Sequence, residues 1–425
     1  MDIPPRPQPL LILLLVCILG FGVWLRLPTS SGCPETGFDE HFYSRYVKEI
    51  NSVGLVNYPV ICEYYLERQT KANTAFLPPT RVAFLTSASF LSRVFHLDPL
   101  KAVRVLSSLF SCLLLLAAAL CAWRMGGLAR SLAVSVLVAC SPLDVHIAHR
   151  AWADGFFAFW ALLTLWSLWE NLRQPNHRAW LAVLVLSLFM MILSKENAFF
   201  VFVALCVLVV AARRLGFGTA RPALVAAVIL GALLGGLVLM ACTGGPGTLI
   251  AVLKLNVEKS RHLPYAIATG GGPWQRYLVD LLFLNPLLTL LAVGGLLNAG
   301  ADRANPNNNR AGLFLGLFTA VTYLVKSQVK GGMNLRYGNI WTLPLAWLAA
   351  GQLAAWLAAV RRESWRPVLL GAAVCVVAAS ELRLYHTVFV RSKIYDPVTF
   401  ELGFAQGMFH QTPAPADPDG KNGDQ

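Results

Sequence analysis

Long apolar runs alternate with short polar segments along most of this chain. Runs of about twenty residues with few charges match the length that an α-helix needs to cross a membrane. The pattern predicts eleven spans in an all-α polytopic membrane protein. They lie at about 10–27, 102–123, 132–143, 153–169, 180–193, 198–212, 223–242, 277–297, 313–325, 337–360 and 368–382.

The spans divide the chain into a transmembrane domain, residues 1–382, and a tail, residues 383–425. The end of the tail is Pro-rich and acidic, so we expect it to be disordered. Two polar segments between spans are long, 28–101 and 243–276. In the first of them, apolar residues recur at helical spacing between Phe42 and Ile50, which predicts an amphipathic helix on the membrane surface.

A second, weaker amphipathic stretch runs from Arg81 to Phe95, directly after the helix-breaking pair Pro78-Pro79. The first long segment is therefore expected to carry two juxtamembrane helices. Cys33 and Cys62 share this segment, so a disulfide between them is possible.

The distribution of Lys and Arg predicts the orientation. Loops after spans two, four, six and ten carry Arg pairs or triplets, which is typical of cytoplasmic loops. The N-terminus is then inside, while both long segments and the tail are outside. The external segments 254–262 and 326–336 are also basic, which departs from the usual excess of Lys and Arg in cytoplasmic loops. This indicates that their cations bind an anionic ligand.

Composition narrows the class of protein. The 425 residues are 56% hydrophobic and 13% charged, with a mean hydropathy of +0.58, whereas a soluble protein carries about a quarter charged residues. The net charge of +13 is explained by cytoplasmic loops, so no nucleic-acid partner is expected.

The first candidate for chemistry is the acidic pair Asp39-Glu40, just outside the first span. It heads the predicted amphipathic helix, where the helix dipole favours negative charge. A carboxylate held there can act as general base toward a hydroxyl. The alternative is that both carboxylates are simply solvated in a loop.

A second cluster runs from Ser141 to Asp154. Arg150 and Asp154 are four residues apart, so on one helix they would pair and cap the fourth span. His146 and His149 are a weak metal pair without a third ligand nearby. We therefore predict no metal site and no required cofactor, although a divalent cation is compatible with the chemistry.

Two further clusters contain cations at predicted outer ends of spans. Lys195-Glu196 lies in a very short corner, either as a mutual ion pair or with the Lys presented to a lipid phosphate. Lys330, Arg336 and Tyr337 lie at the mouth of the tenth span. An Arg fork suits phosphate, and the alternative is headgroup snorkelling.

Taken in order, these pieces resemble the GT-C membrane glycosyltransferases. The similarity is to the bacterial branch related to protein O-mannosyltransferases, lipid A aminoarabinose transferase (ArnT-like proteins) and the RgtA/B/C/D-like enzymes. The residues that match the family pattern are Phe38-Asp39-Glu40-x-x-Tyr43, Leu77-Pro78-Pro79, Ser141-Pro142 to Arg150-x-x-x-Asp154, Lys195-Glu196 and Arg336-Tyr337. This chain departs from the pattern at Phe76-Leu77, where the family usually has His or Lys before Pro-Pro, and in the expected absence of a large C-terminal extracytoplasmic domain.

The resemblance implies a GT-C fold with a long first extracytoplasmic loop and an inverting transfer of a sugar from a polyprenyl phosphate. The acceptor would be lipid A or lipopolysaccharide, another glycan or a protein, at the outer face of the bacterial inner membrane. The residues it implicates are catalytic Asp39, Glu40 and Asp154, phosphate-binding Lys195, Arg336 and Arg150, and substrate-binding Tyr43, Glu196, Tyr337 and Lys330.

The sequence thus predicts one outward-facing cavity lined by Asp39, Asp154 and Arg336. A transporter or flippase of an anionic lipid or solute is the alternative. Such a protein should show internal repeats and charges near the middle of the membrane. The sequence shows no clear repeat, and its notable charges gather at one predicted face.

Overall fold

The computed structural model describes residues 9–27, 36–263, 267, 270–301, 306–329 and 333–407. In these residues the chain forms α-helices joined by turns and short 3-10 segments, without a strand. The helices are α1 Pro9–Arg26, α2 Phe38–Val53, α3 Tyr58–Lys71, α4 Val82–Val94, α5 Pro99–Ala139, α6 Pro142–His149, α7 Asp154–Arg173, α8 Arg178–Ile192, α9 Ala198–Ala211, α10 Pro222–Cys242, α11 Pro246–His262, α12 Arg276–Leu284, α13 Pro286–Ala301, α14 Pro306–Lys326, α15 Thr342–Leu357, α16 Arg366–Tyr385 and α17 Thr399–Ala405.

Every predicted span coincides with described helix. The second and third spans are the two arms of α5, which bends at Gly127, where φ is 80°; a glycine adopts that conformation without a Cβ penalty. The eighth span is broken at Asn285 into α12 and α13, and the tenth begins with a 3-10 segment, Leu335–Trp341.

By length and hydropathy, five helical segments of the described chain are long and apolar enough to cross a membrane. They are Pro9–Arg26, Pro99–Ala139, Pro222–Cys242, Leu335–Leu357 and Glu363–Arg391. Shorter apolar helices pack among them. The prediction of an all-α polytopic membrane protein is confirmed.

The first long segment folds into α2, α3 and α4; α2 and α4 match the two predicted amphipathic stretches, whereas α3 was not predicted. The apolar face of α2 is buried, and the Tyr46 hydroxyl donates to the carbonyl of Leu77 over 2.5 Å. The Tyr58 hydroxyl of α3 donates to the carbonyl of Pro79 over 2.7 Å. These two bonds fix the Pro-Pro turn, and the Ala83 amide then docks α4 on the carbonyl of Leu193 at 2.9 Å.

A buried arginine fixes the end of α1 close to the start of α6. Arg26 is 1% exposed, and its guanidinium donates to the carbonyls of Ala139 (2.9 Å) and Val138 (2.8 Å) at the end of α5. The Ser108 hydroxyl donates to the carbonyl of Arg26 over 2.7 Å. Since α2 begins only twelve positions later, this anchor constrains where the acidic pair can lie.

Some predictions for the local structure were wrong or fall outside the described residues. Helix α6 ends at His149 and α7 begins at Asp154, so Arg150 and Asp154 do not share a helix. The apolar arm predicted to reach residue 143 ends at Ala139, because Pro142 starts a new helix. Lys330, Cys33 and the acidic end of the tail, 408–425, lie outside the described residues, and the possible Cys33–Cys62 disulfide stays a prediction.

Candidate active site

Asp39 lies in the first turn of α2 and meets Arg336 of the 3-10 segment. The Arg336 Nη1 atom is 2.6 Å from Asp39 Oδ2, and the two residues are 5% and 7% exposed. This ion pair joins the beginning of the chain to the mouth of the tenth predicted span. A buried carboxylate is tolerated here because a cation neutralises it.

Glu40, the neighbour of Asp39, is fully buried and has a different set of contacts. Its Oε1 accepts from the amide of Ala151 at 2.7 Å, and its Oε2 accepts from the amide of Gly37 at 2.8 Å. Arg104 of α5 lies 3.4 Å from Oε2. These bonds fasten α2 to α5 and to the loop before α7, so Glu40 is placed to position Asp39, and its predicted catalytic role stays a prediction.

Asp154, at the start of α7, pairs with Lys195 in the corner after α8. Both side chains are almost fully buried, and the Asn339 amide donates to the Asp154 carbonyl over 2.9 Å. The Lys195 Nζ also lies 4.1 Å from the centroid of the Tyr337 ring. Neither the predicted Arg150–Asp154 pair nor the Lys195–Glu196 pair forms, since Lys195 takes Asp154 as its partner.

Glu196, the neighbour of Lys195, contacts Thr80 and Arg81, the two residues before α4. Its Oε1 accepts from the Thr80 hydroxyl at 2.5 Å, and Arg81 Nη2 is 3.5 Å from its Oε2. Arg81 is 4% exposed and lies 5.3 Å above the Tyr43 ring. Its Nε and Nη1 atoms are buried without a hydrogen-bond partner among the described residues, and such orphaned donors are costly unless a ligand takes them up.

Tyr337 is the ring around which the cations gather. Besides Lys195, Arg336 lies 5.2 Å and Lys326 lies 5.8 Å from its centroid. Lys326, the last residue of α14, donates to the Tyr337 carbonyl and is 2% exposed. The structure includes Lys326 and Arg81 in the site. The sequence pointed to Lys326 only as part of the basic segment 326–336, and it did not single out Arg81 as a functional residue.

The segment after α16 also reaches this site, although the sequence predicted an external tail there. Asp396 Oδ1 is 3.4 Å from Arg336 Nη1 and accepts from the Asn334 amide at 2.9 Å. The Tyr395 ring lies 4.7 Å beneath the Arg150 guanidinium, and its hydroxyl accepts from Trp152 at 3.0 Å. Arg150 therefore borders the site through Tyr395, and its predicted contact with a phosphate stays a prediction.

Electrostatics in the corner follow from burial and from neighbouring charge. Burial lowers the pKa of Lys195 to about 8, with Asp154 opposing the shift and Arg81 and Arg336 adding to it. Burial alone would raise the pKa of Glu196, but Arg81 and the Thr80 hydroxyl outweigh it and hold that pKa below its usual value. Lys195 is thus a cation below about pH 8 that can become neutral above it.

The two histidines of α6 contact backbone carbonyls and neighbouring aromatic side chains. His146 Nε2 lies 2.9 Å from the Tyr395 carbonyl, and its ring stacks on Phe389 at 3.8 Å. His149 uses Nε2 with the Leu25 carbonyl, at 2.9 Å, and Nδ1 with the Tyr385 hydroxyl, at 3.1 Å. In the described part of the chain no group of three or more His, Cys, Asp or Glu residues could hold a metal ion.

Contacts therefore connect most of the predicted site residues at one end of the helical bundle. Asp39, Arg336, Tyr337, Lys195 and Asp154 form one continuous chain of ion pairs and ring contacts. The fold that presents them is the GT-C fold of membrane glycosyltransferases, and the predicted fold is confirmed.

Solved structures with this fold include the apo oligosaccharyltransferase of Archaeoglobus fulgidus, with a TM-score of 0.61 and 12% identity over 88% of this chain. They also include apo ArnT from Cupriavidus metallidurans, with a TM-score of 0.51 and 16% identity over 93% of this chain and 77% of that one. A structure of the same ArnT bound to undecaprenyl phosphate has a TM-score of 0.50 and 16% identity, over 94% of this chain and 77% of that one.

This chain spans 55% of the archaeal oligosaccharyltransferase, about half its length. A scan against protein-family models gives no match, and a search of curated protein sequences also gives none. The structural similarity therefore defines the fold.

Proposed function

We propose that this protein is an inverting glycosyltransferase that moves a sugar from a polyprenyl-phosphate donor to a hydroxyl of an envelope acceptor. The acceptor is lipid A or lipopolysaccharide, another glycan or a protein. The site works at the outer face of a bacterial inner membrane. The observation that carries the proposal is the buried Asp39 carboxylate beside a cluster of buried cations, Arg336, Lys195, Lys326 and Arg81.

The buried cations are suited to bind the phosphate of a lipid-linked donor. Arg81 offers two buried donors without a described partner, and Lys326 forms no ion pair with a described carboxylate. Three cationic side chains around the Tyr337 ring, together with Arg81 over the Tyr43 ring, can stabilise the charge that develops on a leaving phosphate. Solved structures with the same fold bind such lipids: ArnT from Cupriavidus metallidurans is bound to undecaprenyl phosphate, and AglB from Archaeoglobus fulgidus is in complex with a dolichol-phosphate.

The reaction needs a general base for the acceptor hydroxyl and cations that stabilise the leaving phosphate. The acceptor oxygen attacks the anomeric carbon from the face opposite the phosphate, and Asp39 takes the hydroxyl proton. The bond from that carbon to the phosphate oxygen breaks, and its electron pair stays on the phosphate, next to Lys195 and Arg81. Attack from the opposite face inverts the configuration at the anomeric carbon.

The carboxylates with a described place in the site have side-chain cations as partners: Asp39 and Asp396 share Arg336, whereas Asp154 pairs with Lys195, Glu196 with Arg81 and Glu40 with Arg104. A divalent ion would have to displace a buried side-chain cation to bind two of them. We therefore propose a reaction that depends on these side chains for positive charge.

The proposal is tested by comparing a host with and without the protein. Polyprenyl-phosphate sugars and envelope glycans are extracted and measured by mass spectrometry in both strains and in a strain carrying Asp39→Asn. Loss of one glycan modification, with accumulation of its lipid-linked sugar, is the expected result in both deficient strains. Unchanged glycans and donor lipids in both would contradict the proposal.

A transporter of an anionic lipid or solute is the second candidate, and one observation favours it. Glu381 of α16 is fully buried and accepts a hydrogen bond from Asn285, at the break between α12 and α13. A carboxylate within apolar helices beside a broken helix is typical of transport proteins. Glu381→Gln should leave sugar transfer intact in an enzyme, whereas a transporter that uses this carboxylate loses uptake or flipping.

A further inference from the structure

The segment 394–396, between α16 and α17, is docked into the candidate active site. His146 holds the Tyr395 carbonyl at 2.9 Å, and Trp152 donates to the Tyr395 hydroxyl at 3.0 Å. A Cβ added at Gly37, the residue before α2, would overlap the Tyr395 ring. The segment therefore lies between the loop before α7 and the start of the helix that carries Asp39.

This docking brings a second carboxylate to Arg336. Asp396 Oδ1 is 3.4 Å from Arg336 Nη1, the same nitrogen that is 2.6 Å from Asp39 Oδ2. Asn334 fixes the arrangement from both sides, because its amide donates to Asp396 at 2.9 Å and its oxygen accepts from the Arg336 backbone at 3.0 Å. One guanidinium nitrogen is thus shared between two acids that come from opposite ends of the chain.

Resting on the proposed transfer reaction, we propose that Asp396 is a positioning residue of the active site. Its carboxylate competes with Asp39 for Arg336 and thereby weakens the hold of Arg336 on the Asp39 carboxylate, which takes the acceptor's proton. An arginine that pairs with Asp39 alone would hold that carboxylate in a tighter ion pair than an arginine that is shared with Asp396.

The ionisation of Asp396 controls this sharing. Burial raises the pKa of Asp396, with Arg336 opposing the shift and Asp39 adding to it. Among the described residues, the Asn334 amide and Asp154 also act on Asp396, and Glu401 of α17 is its charged neighbour along the chain. When Asp396 is protonated, Arg336 pairs with Asp39 alone; when Asp396 is ionised, Arg336 is shared between the two carboxylates and holds Asp39 less tightly.

The test is the pH dependence of kcat/KM for sugar transfer by the full-length protein, for the wild type, Asp396→Asn and Asp396→Glu. The wild-type rate should climb as Asp396 ionises. Asp396→Asn should lack a climb at the pH of the wild-type climb and fall about tenfold below the wild type on the plateau, because Arg336 then pairs with Asp39 alone and a charge-assisted hydrogen bond is worth about a factor of ten or more. Asp396→Glu should keep the climb.

The matched control is Glu401→Gln, which removes a neighbouring carboxylate without a described contact to Arg336. It should keep the climb, moved at most slightly to lower pH because a like charge near Asp396 is removed. An Asp396→Asn profile that is uniformly lower but still climbs at the wild-type pH would reduce Asp396 to a structural role and overturn the inference, as would an unchanged rate. Wild-type protein without any transfer activity would overturn the proposed function itself, which separates the two failures.

If Asp396→Asn does not fold, Asn334→Ser supplies the test. Serine keeps a side-chain oxygen for the start of the 3-10 segment but removes the amide that stabilises ionised Asp396. The climb should then move to higher pH, and a climb at the wild-type position would count against the inference.

Discussion

Asp39→Asn isolates the base from the rest of the site. Asparagine keeps the shape of the side chain, so the cation cluster stays in place, but it cannot accept a proton at neutral pH. Loss of a positioned general base costs about 10²–10⁴-fold in rate, which corresponds to roughly 3–5 kcal/mol of transition-state stabilisation. We expect kcat to fall by that factor.

The structure also predicts what this substitution does to folding and to donor binding. Breaking a buried ion pair costs about 3–5 kcal/mol when the remaining charge is left alone. Arg336 keeps Asp396 at 3.4 Å, so the loss in free energy of unfolding should be smaller, about 1–3 kcal/mol. With one competing carboxylate neutral, Arg336 should hold a phosphate at least as tightly as before.

Two assays follow from this reasoning. Turnover is measured as release of polyprenyl phosphate from donor lipid, and binding as the thermal shift produced by undecaprenyl phosphate. The matched control is Asp98→Asn, an exposed cap of α5 whose side chain accepts from the Leu100 amide; asparagine caps helices equally well, so its activity should be unchanged. Turnover of Asp39→Asn within threefold of the wild type would refute the assignment of the base.

Three further predictions concern the cations. Arg81→Met should raise the KM for donor lipid roughly tenfold to hundredfold, because a charge-assisted hydrogen bond contributes about 1.5–3 kcal/mol; an unchanged KM would exclude Arg81 from the phosphate site. Since Lys195 has a pKa of about 8 and is charged only below it, kcat/KM should fall above about pH 8, toward tenfold per pH unit, and the Lys195→Arg variant should lose this decline. EDTA should leave activity unchanged because Asp39, Asp154 and Glu196 already have side-chain cations as partners, and a loss of activity restored by a divalent metal would show the opposite.

The sequence predicted those parts of the site that lie next to spans. Apolar periodicity locates each span, and a charge that cannot stay in hydrocarbon must lie at its end. Asp39, Lys195 and Arg336 were found in this way, and the structure brings them to one end of the bundle. Their shared side followed from the Lys and Arg pattern of the loops.

Contacts that depend on the path of irregular segments were not predictable. Arg81 looked like the first residue of an amphipathic stretch, and only the docking of Ala83 on Leu193 brings it to Glu196. Arg150 and Asp154 have the spacing of a helical pair, yet the chain turns between them, and spacing alone does not reveal such a break. Asp396 lies 60 positions after Arg336 in a stretch that composition assigns to a tail.

The shared guanidinium of Arg336 has a consequence for biosynthesis. Its two acidic partners are Asp39, near the start of the chain, and Asp396, near the end of the described part. During translation, the early helices are inserted into the membrane first. The contact can form only after the later helices, up to α16, and the segment that carries Asp396 have been made. Nascent chains should therefore stay below full activity until the segment after α16 has been made, and a chain released soon after α16 should be inserted but less active.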